Sequence, residues 1–335
     1  MELITRETQA HLERVIAERL GGVTHIKDVA PLSGGAIQEN WVINIKSEGG
    51  ILEGIRELVL RKNSLSRIPL SRPRGEEFLL LRTAYKSNVK VPRPYFYCSD
   101  PSIVGSPFFL MEKVDGLAAG HALARQPVNE NLVRELGRNL ARIHAIPYES
   151  VELSFLQKLQ NTHTLETIFE YRQQLDLLPD AHPILEWGLS WLERNAPGNQ
   201  NIVLCHRDYR TGNLMIDGTR LSGVLDWEFA GLSAPEEDLG WFCAKCWRFG
   251  AIEREAGGLG SRRAFYGGYE SETGVSIDSD IVFYWEIMAH VRWAVIALHQ
   301  ANRFVSGGER NLELALTAHV VPELELEIMR MTGTC

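Results

Sequence analysis

Cysteine, basic charge and long apolar runs are all scarce in this sequence, and each scarcity removes a class of protein. Five cysteines in 335 residues, an odd number, supply no disulfide framework. Cys243 and Cys246 form a CxxC, but Trp241, Phe242 and Trp247 crowd it and no second ligand pair follows at zinc spacing. Its thiols are expected to be buried, reduced and structural. Lys plus Arg number 35 against 43 Asp plus Glu, a formal net charge of −8, so no global basic field exists to hold nucleic acid. No uncharged apolar stretch approaches the roughly 18 residues needed to cross a bilayer. The first twenty residues mix charge with Leu12, Val15, Ile16 and Leu20 at helical spacing, unlike an export signal. The expected setting is the cytoplasm, with neither a membrane nor a nucleic acid as partner. Repeats and low-complexity tracts are also missing, which leaves a continuously folded chain.

What is present divides near residue 113. After the first helix, Val42–Ile45 and Leu58–Arg61 read as strands around a turn at Gly49 and Gly50. A helix follows from Glu76, with leucines at helical spacing, and Pro92 and Pro94 then launch an extended segment. Phe108–Met111 is a short apolar strand ending at Glu112. Beyond Gly116 the pattern turns helical, from Leu132, from Thr167 and from Ile184, with Pro197 and Gly198 closing the last of these. Ile202–Cys205, Leu214–Ile216 and Val224-Leu225 interrupt that helical part as short apolar runs flanked by polar residues. The fold class expected is α+β with two lobes: a small antiparallel-sheet lobe, 1–113, and a mainly helical lobe, 114–335.

The chemistry concentrates at those interrupting strand ends. His206, Asp208 and Asn213 form an HxDxxxxN pattern, and Asp226 ends the next apolar run. A carboxylate is needed to orient an acceptor hydroxyl and take its proton; an amide oxygen and a second carboxylate can hold Mg²⁺, which favours hard oxygen ligands. Asp208, Asn213 and Asp226 are those three groups. Together they resemble the catalytic and metal-binding loops of the protein-kinase-like superfamily. The segment from Asp226 through Trp227 and Glu228 to Asp238 and Leu239 is too short for an activation loop. It is similar to the aminoglycoside-phosphotransferase-like family of small-molecule kinases, with ATP and Mg²⁺ as implied cofactors. Asp238 is expected to cap a helix and brace the catalytic loop.

The resemblance extends over nearly the whole chain, with weaker motifs in the first lobe. Ser33, Gly34 and Gly35 fall where the family's phosphate-covering turn lies. Arg61 stands in register with the family's phosphate-contacting cation, as in choline-kinase-like relatives; Lys62 is the alternative, and Arg61 is favoured. Glu77 is the implied partner of that cation, with Glu76 second. Glu112 and Val114 belong to the implied hinge, whose backbone would meet adenine. Arg210 takes the place of a phosphate-contacting residue beside the base and is the second catalytic candidate.

For the acceptor, a hydroxylated small molecule, composition speaks in the last third. Trp241, Trp247, Trp285 and Trp293 lie there, with Glu286 and His290 one helical turn apart. An aromatic core explains them, and so does an apolar pocket wall. A polycationic aminoglycoside would want carboxylates in place of Arg248 and Arg292. The HRDYRTGN and VLDWE stretches look more like the kinase-like domains fused to some acyl-CoA dehydrogenases, associated with phosphorylating hydroxyacyl thioesters. Aminoglycoside or choline-like acceptors, a nucleotide-binding pseudokinase and a protein kinase stay open as alternatives.

Overall fold

The computed structural model describes residues 5–32, 38–63, 71–157, 159, 163–198, 200–307 and 312–333. Helix α1 (Arg6–Leu20) starts where the Thr5 hydroxyl accepts from the Thr8 N–H and stops at Gly21, which takes φ 76°. Its residues Leu12, Ile16 and Leu20 follow at four-residue spacing and are buried against a sheet. That sheet holds β1 (Val23–Pro31), β2 (Gln38–Glu48), β3 (Gly54–Asn63), β4 (Pro94–Cys98) and β5 (Phe108–Glu112), all antiparallel in the order β1-β2-β3-β5-β4. Alternation of side chains puts Ile43 and Ile45, Leu58 and Leu60, and Phe108 and Leu110 on the face that α1 covers. Strand β1 carried no clear sequence signal, because most of its residues are exposed and its apolar residues do not alternate with polar ones.

Helix α2 (Arg74–Lys86) crosses the opposite face. Its Phe78, Leu80, Leu81 and Ala84 join one continuous core with Leu136, Leu140 and Val224 of the second lobe. The lobes therefore share apolar packing, although the chain pattern changes near residue 113.

The second lobe opens with α3 (Gly120–Leu123) and α4 (Glu130–His144), the latter capped by Asn129. It continues through α5 (His163–Asp176) and α6 (Pro183–Arg194) to four short strands: β6 (Val203–Cys205), β7 (Leu214–Asp217), β8 (Arg220–Val224) and β9 (Gly231–Ser233). These pair as two ribbons, β6 with β9 and β7 with β8. Then come α7 (Pro235–Cys243), α8 (Arg262–Thr273), α9 (Ser279–Val305), α10 (Leu312–Thr317) and α11 (Val321–Met331). Helices α4 and α8 touch backbone to backbone: a Cβ on Gly137 would lie 2.1 Å from the Phe265 carbonyl oxygen, and one on Gly268 2.1 Å from that of Arg134. Only glycine permits that approach. Among the described residues α9 alone is long and apolar enough to cross a membrane, but 72% of its apolar window is buried inside the protein. Glu286, His290 and Arg292 are buried along it.

Candidate active site

The loop between β6 and β7 is built around a carboxylate that it does not contain. Asp238, on α7 and fully buried, accepts from the backbone N–H groups of His206 and Arg207, each at 2.7 Å, and lies 3.1 Å from His144 Nε2. Arg207 adopts φ 61°, which turns two successive N–H groups toward one anion. Burial opposes ionisation of Asp238, but the hydrogen bond and charge of His144, with the backbone donors, hold its carboxyl below the usual range. Asp238 thus braces the loop. It does not cap α7, whose N-cap is Ala234 without a side-chain bond, because its oxygens are turned away from its own helix.

On this frame the Asp208 carboxylate is oriented by three side chains. Asn213 Nδ2 donates to Oδ2 at 2.6 Å, Arg210 Nε to Oδ1 at 3.1 Å, and Trp241 Nε1 to Oδ1 at 3.0 Å. His206 does not touch that carboxylate; its Nε2 faces the Leu225 carbonyl at 2.9 Å and its Nδ1 receives the Asp208 N–H. The histidine therefore ties the loop between β6 and β7 to the strand end before Asp226. Sequence spacing set Asn213 and Arg210 on one loop with Asp208, as metal and phosphate contacts rather than as donors to its carboxylate. It carried no signal for Trp241, which approaches from 33 residues downstream.

Across the cleft, Arg61 on β3 points inward and Lys62 does not. Arg61 Nε lies 2.9 Å from Glu77 Oε1, and its Nη2 lies 2.5 Å from Asp226 Oδ1. Lys62 leaves the other way, to Glu39 at 2.9 Å. Glu76 pairs with Arg72 at 3.1 Å and takes no part. Burial disfavours the Arg61 charge, yet Glu77 and Asp226 outweigh it and hold the guanidinium firmly protonated. Behind the pair sits a second buried cation, Arg74, bonded to Glu77 and 3.1 Å from Glu228, which also takes the Ser71 hydroxyl. Arg74 stands three residues before Glu77 on one helix face, a spacing legible in the sequence; Glu228 was not legible. Burial, then the neighbouring Asp226 charge, pushes the Glu228 carboxyl up to about 7.

Asp226 adopts φ 67°, a left-handed conformation that Asp tolerates better than most residues. Burial raises its pKa, but Arg61 and Arg210 outweigh that and hold it below the usual carboxylate range. Its Oδ1 is taken by Arg61, leaving Oδ2; Asn213 spends its Nδ2 on Asp208, leaving Oδ1. Two hard oxygens, one charged and one neutral, fit a Mg²⁺ ion that shares its remaining shell with phosphates and water.

The strand exit at Glu112 leads to the turn between the lobes. Glu112 donates its N–H to the Arg93 carbonyl at 2.8 Å, so only its carbonyl remains for a ligand. The Val114 N–H reaches no backbone acceptor among the described residues. Gly116, at φ 132°, then passes so close to Ile216 that a Cβ would lie 2.7 Å from its carbonyl oxygen. Ser33, Gly34 and Gly35, expected over the phosphates, lie outside the described residues.

The four tryptophans of the last third separate by role. Trp285 is core, stacked near His163. Trp241, Trp247 and Trp293 form a cluster beside the loop that carries Asp208: the Arg210 guanidinium lies 4.9 Å from the Trp247 ring centre, and Arg292 lies 4.5 Å from that of Trp241. Glu286 and His290 are buried; Glu286 is bonded to Arg262, and His290 Nδ1 lies 2.6 Å from the Glu286 carbonyl. Four described cysteines are free thiols: Cys98, Cys205 and Cys243 are buried, and Cys246 is half-buried. Burial pushes the Cys243 thiol up to about 12, too high for a reactive thiolate.

A strand-borne cation paired with a helix glutamate, facing an HxDxxxxN loop and a second aspartate between two lobes, defines the kinase-like class. Within it, the chain belongs to the phosphotransferase enzyme family, whose model it matches over residues 28–273. Among curated relatives, acyl-CoA dehydrogenase family member 10 of Mus musculus is 28% identical over 198 residues, which is 56% of this chain and 18% of that protein. The chain thus spans less than a fifth of that relative. A protein of Ralstonia eutropha described as an aminoglycoside phosphotransferase superposes with a TM-score of 0.75 at 21% identity, covering 97% of this chain and 98% of that one. A spectinomycin phosphotransferase solved with ADP and spectinomycin gives 0.60 at 14% identity, covering 97% and 98%. These two likenesses establish the fold.

Proposed function

We propose that this chain transfers the terminal phosphoryl group of ATP to a hydroxyl of a small molecule with an apolar portion, a hydroxyacyl thioester being the favoured class. The observation that carries the reading is the Asp208 carboxylate, oriented by Asn213, Arg210 and Trp241 opposite the Arg61–Asp226 bridge. The acceptor O–H donates to Asp208, which takes the proton as the new O–P bond forms. The bond from the terminal phosphorus to the bridging oxygen breaks, and ADP leaves with the electron pair. Arg210 is placed to release Asp208 and meet charge on the transferring group. Arg61 holds the nucleotide phosphates, which the family resemblance assigns to Ser33, Gly34 and Gly35 as well, and Glu77 fixes the guanidinium; Glu112 and Val114 present backbone groups to the base. Mg²⁺ on Asn213 and Asp226 would neutralise phosphate charge and align the chain.

Two features support an apolar acceptor. Trp247, Trp293 and Phe249 lie together beside Arg210. Two of the carboxylates near them are already spent, Glu237 on Arg207 and Arg292 and Glu286 on Arg262. A polycationic sugar would find few free anions there, which disfavours the aminoglycoside reading. The likeness to an acyl-CoA dehydrogenase family member points the same way.

The test offers hydroxyacyl thioesters, free hydroxy acids, choline-like amino alcohols and aminoglycosides with Mg²⁺ and ATP, and counts phosphorylated product by mass spectrometry. Asp208→Asn is expected to lower turnover about 10²–10⁴-fold while nucleotide affinity holds. Transfer to aminoglycosides alone would overturn the acceptor assignment, and wild-type turnover in the Asp208 variant would overturn the mechanism.

A further inference from the structure

A cleft of ≈ 710 Å³ opens between α3 and the segment Phe249–Arg254, within the roughly 300–1,000 Å³ usual for small-molecule sites. Both of its walls are attached to the catalytic loop. On the α3 side, the Ala118 carbonyl lies 3.9 Å from where a Cβ on Gly212 would be, and Leu117 pairs with Ile216. On the other side, Phe249 meets Trp247 at 6.4 Å between ring centres, and Trp247 carries the guanidinium of Arg210, which itself donates to Asp208. The cleft therefore begins one aromatic ring away from the residues proposed to act on the acceptor.

Its construction is specific. Arg254 bridges the walls by donating to the carbonyls of Ala124 at 2.9 Å and Gln126 at 2.8 Å. Phe249 adopts φ 49°, a conformation that bulky residues rarely keep without surrounding constraint. Its ring stands edge-on to His121 at 5.3 Å and occupies space that a side chain on Gly120 would need, since a Cβ there would lie 2.4 Å from it. Ile252 adds exposed apolar surface. The cleft's charged residues are Arg125, Arg254 and Glu253, a positive excess in a chain of net charge −8. Arg254 is spent on carbonyls, whereas the Arg125 side chain is exposed and makes no hydrogen bond or ion pair among the described residues.

We infer that this cleft is the distal subsite for the acceptor, taking an elongated hydroxylated molecule whose apolar middle lies on Phe249 and Ile252 and whose far end is anionic, against Arg125. This rests on the phosphoryl-transfer reading of Asp208. An acceptor with its hydroxyl at Asp208 would run over Trp247 into the cleft, gaining apolar burial along the way and one charge-assisted contact at its end.

A matched pair of acceptors isolates the charge: a hydroxyacyl thioester of phosphopantetheine and the same thioester of pantetheine, differing by one phosphate. KM for each is measured with wild type and Arg125→Glu, and their affinities are measured by calorimetry without ATP. Wild type is expected to prefer the phosphorylated acceptor by about tenfold in both KM and affinity, and R125E to erase the preference. Melting curves check that R125E is folded, as expected for an exposed side chain. Absence of any preference in wild type, or a preference that survives R125E, overturns the subsite. Binding preference without phosphoryl transfer overturns the kinase reading alone, and transfer without preference overturns the subsite alone.

Discussion

Replacing Glu77 with Gln tests the buried charge bridge that joins the lobes. Glu77 lies between two guanidiniums, 2.9 Å from Arg61 and bonded to Arg74, with all three side chains buried. Removing one partner of a buried pair typically costs about 3–5 kcal/mol, because a desolvated charge is left behind. Here each arginine keeps another carboxylate, Arg61 at Asp226 and Arg74 at Glu228, so the lower end applies, about 3 kcal/mol. Unfolding entropy near 2.1 cal/mol/K per residue gives ~0.7 kcal/mol/K over 335 residues, so the melting temperature should fall by about 4 °C. Glu76→Gln is the control: its pair with Arg72 is partly exposed and should count for less than about 1 kcal/mol. Thermal melts of both variants, with ATP titrations in parallel, provide the assay. Arg61 should also hold nucleotide less well once Asp226 is its only anchor. If Glu77→Gln and Glu76→Gln melt alike, the bridge contributes no more than a surface pair, and the reasoning fails.

Asp226→Ala should abolish the tightening of ATP binding by Mg²⁺ in a calorimetric titration, whereas Asp238→Ala should lower the melting temperature, because two backbone N–H groups lose their buried acceptor. Trp241→Phe removes one donor to Asp208 while keeping most of the ring, so kcat should fall by about tenfold with KM for ATP unchanged; a proportional change in both would show general disruption instead. His290 is buried, and desolvation lowers its pKa from 6.5 to about 4. Its neutral form is favoured by folding, so that contribution is present above pH 6.5 and is lost as pH falls through 4. Melting curves of wild type and His290→Leu should therefore converge or cross between pH 6.5 and 4, and parallel curves across that range would refute the assignment.

The sequence determined what depends on near neighbours in the chain. Four-residue spacing of Leu12, Ile16 and Leu20 was enough to make α1 bury one face. The HxDxxxxN spacing carried Asp208 and Asn213 into contact, because five residues of loop cannot separate them far. The short segment after Asp226 leaves no room for an activation loop. Tertiary structure decided the pairings between distant residues. Adjacent on β3, Arg61 and Lys62 point to opposite faces, and only the sheet's placement over the second lobe sends Arg61 to Asp226, 165 residues away. Trp241 reaches Asp208, and Asp238 turns from its own helix to the catalytic loop, for the same reason: a buried polar group takes whichever partner the packed fold brings within 3 Å. Glu286 and His290 share a helix face, as their spacing required, but the packing of α7 against α9 and the ion pair of Glu286 with Arg262 made it core rather than pocket. Local spacing fixes which residues travel together, and the folded surroundings fix what they meet.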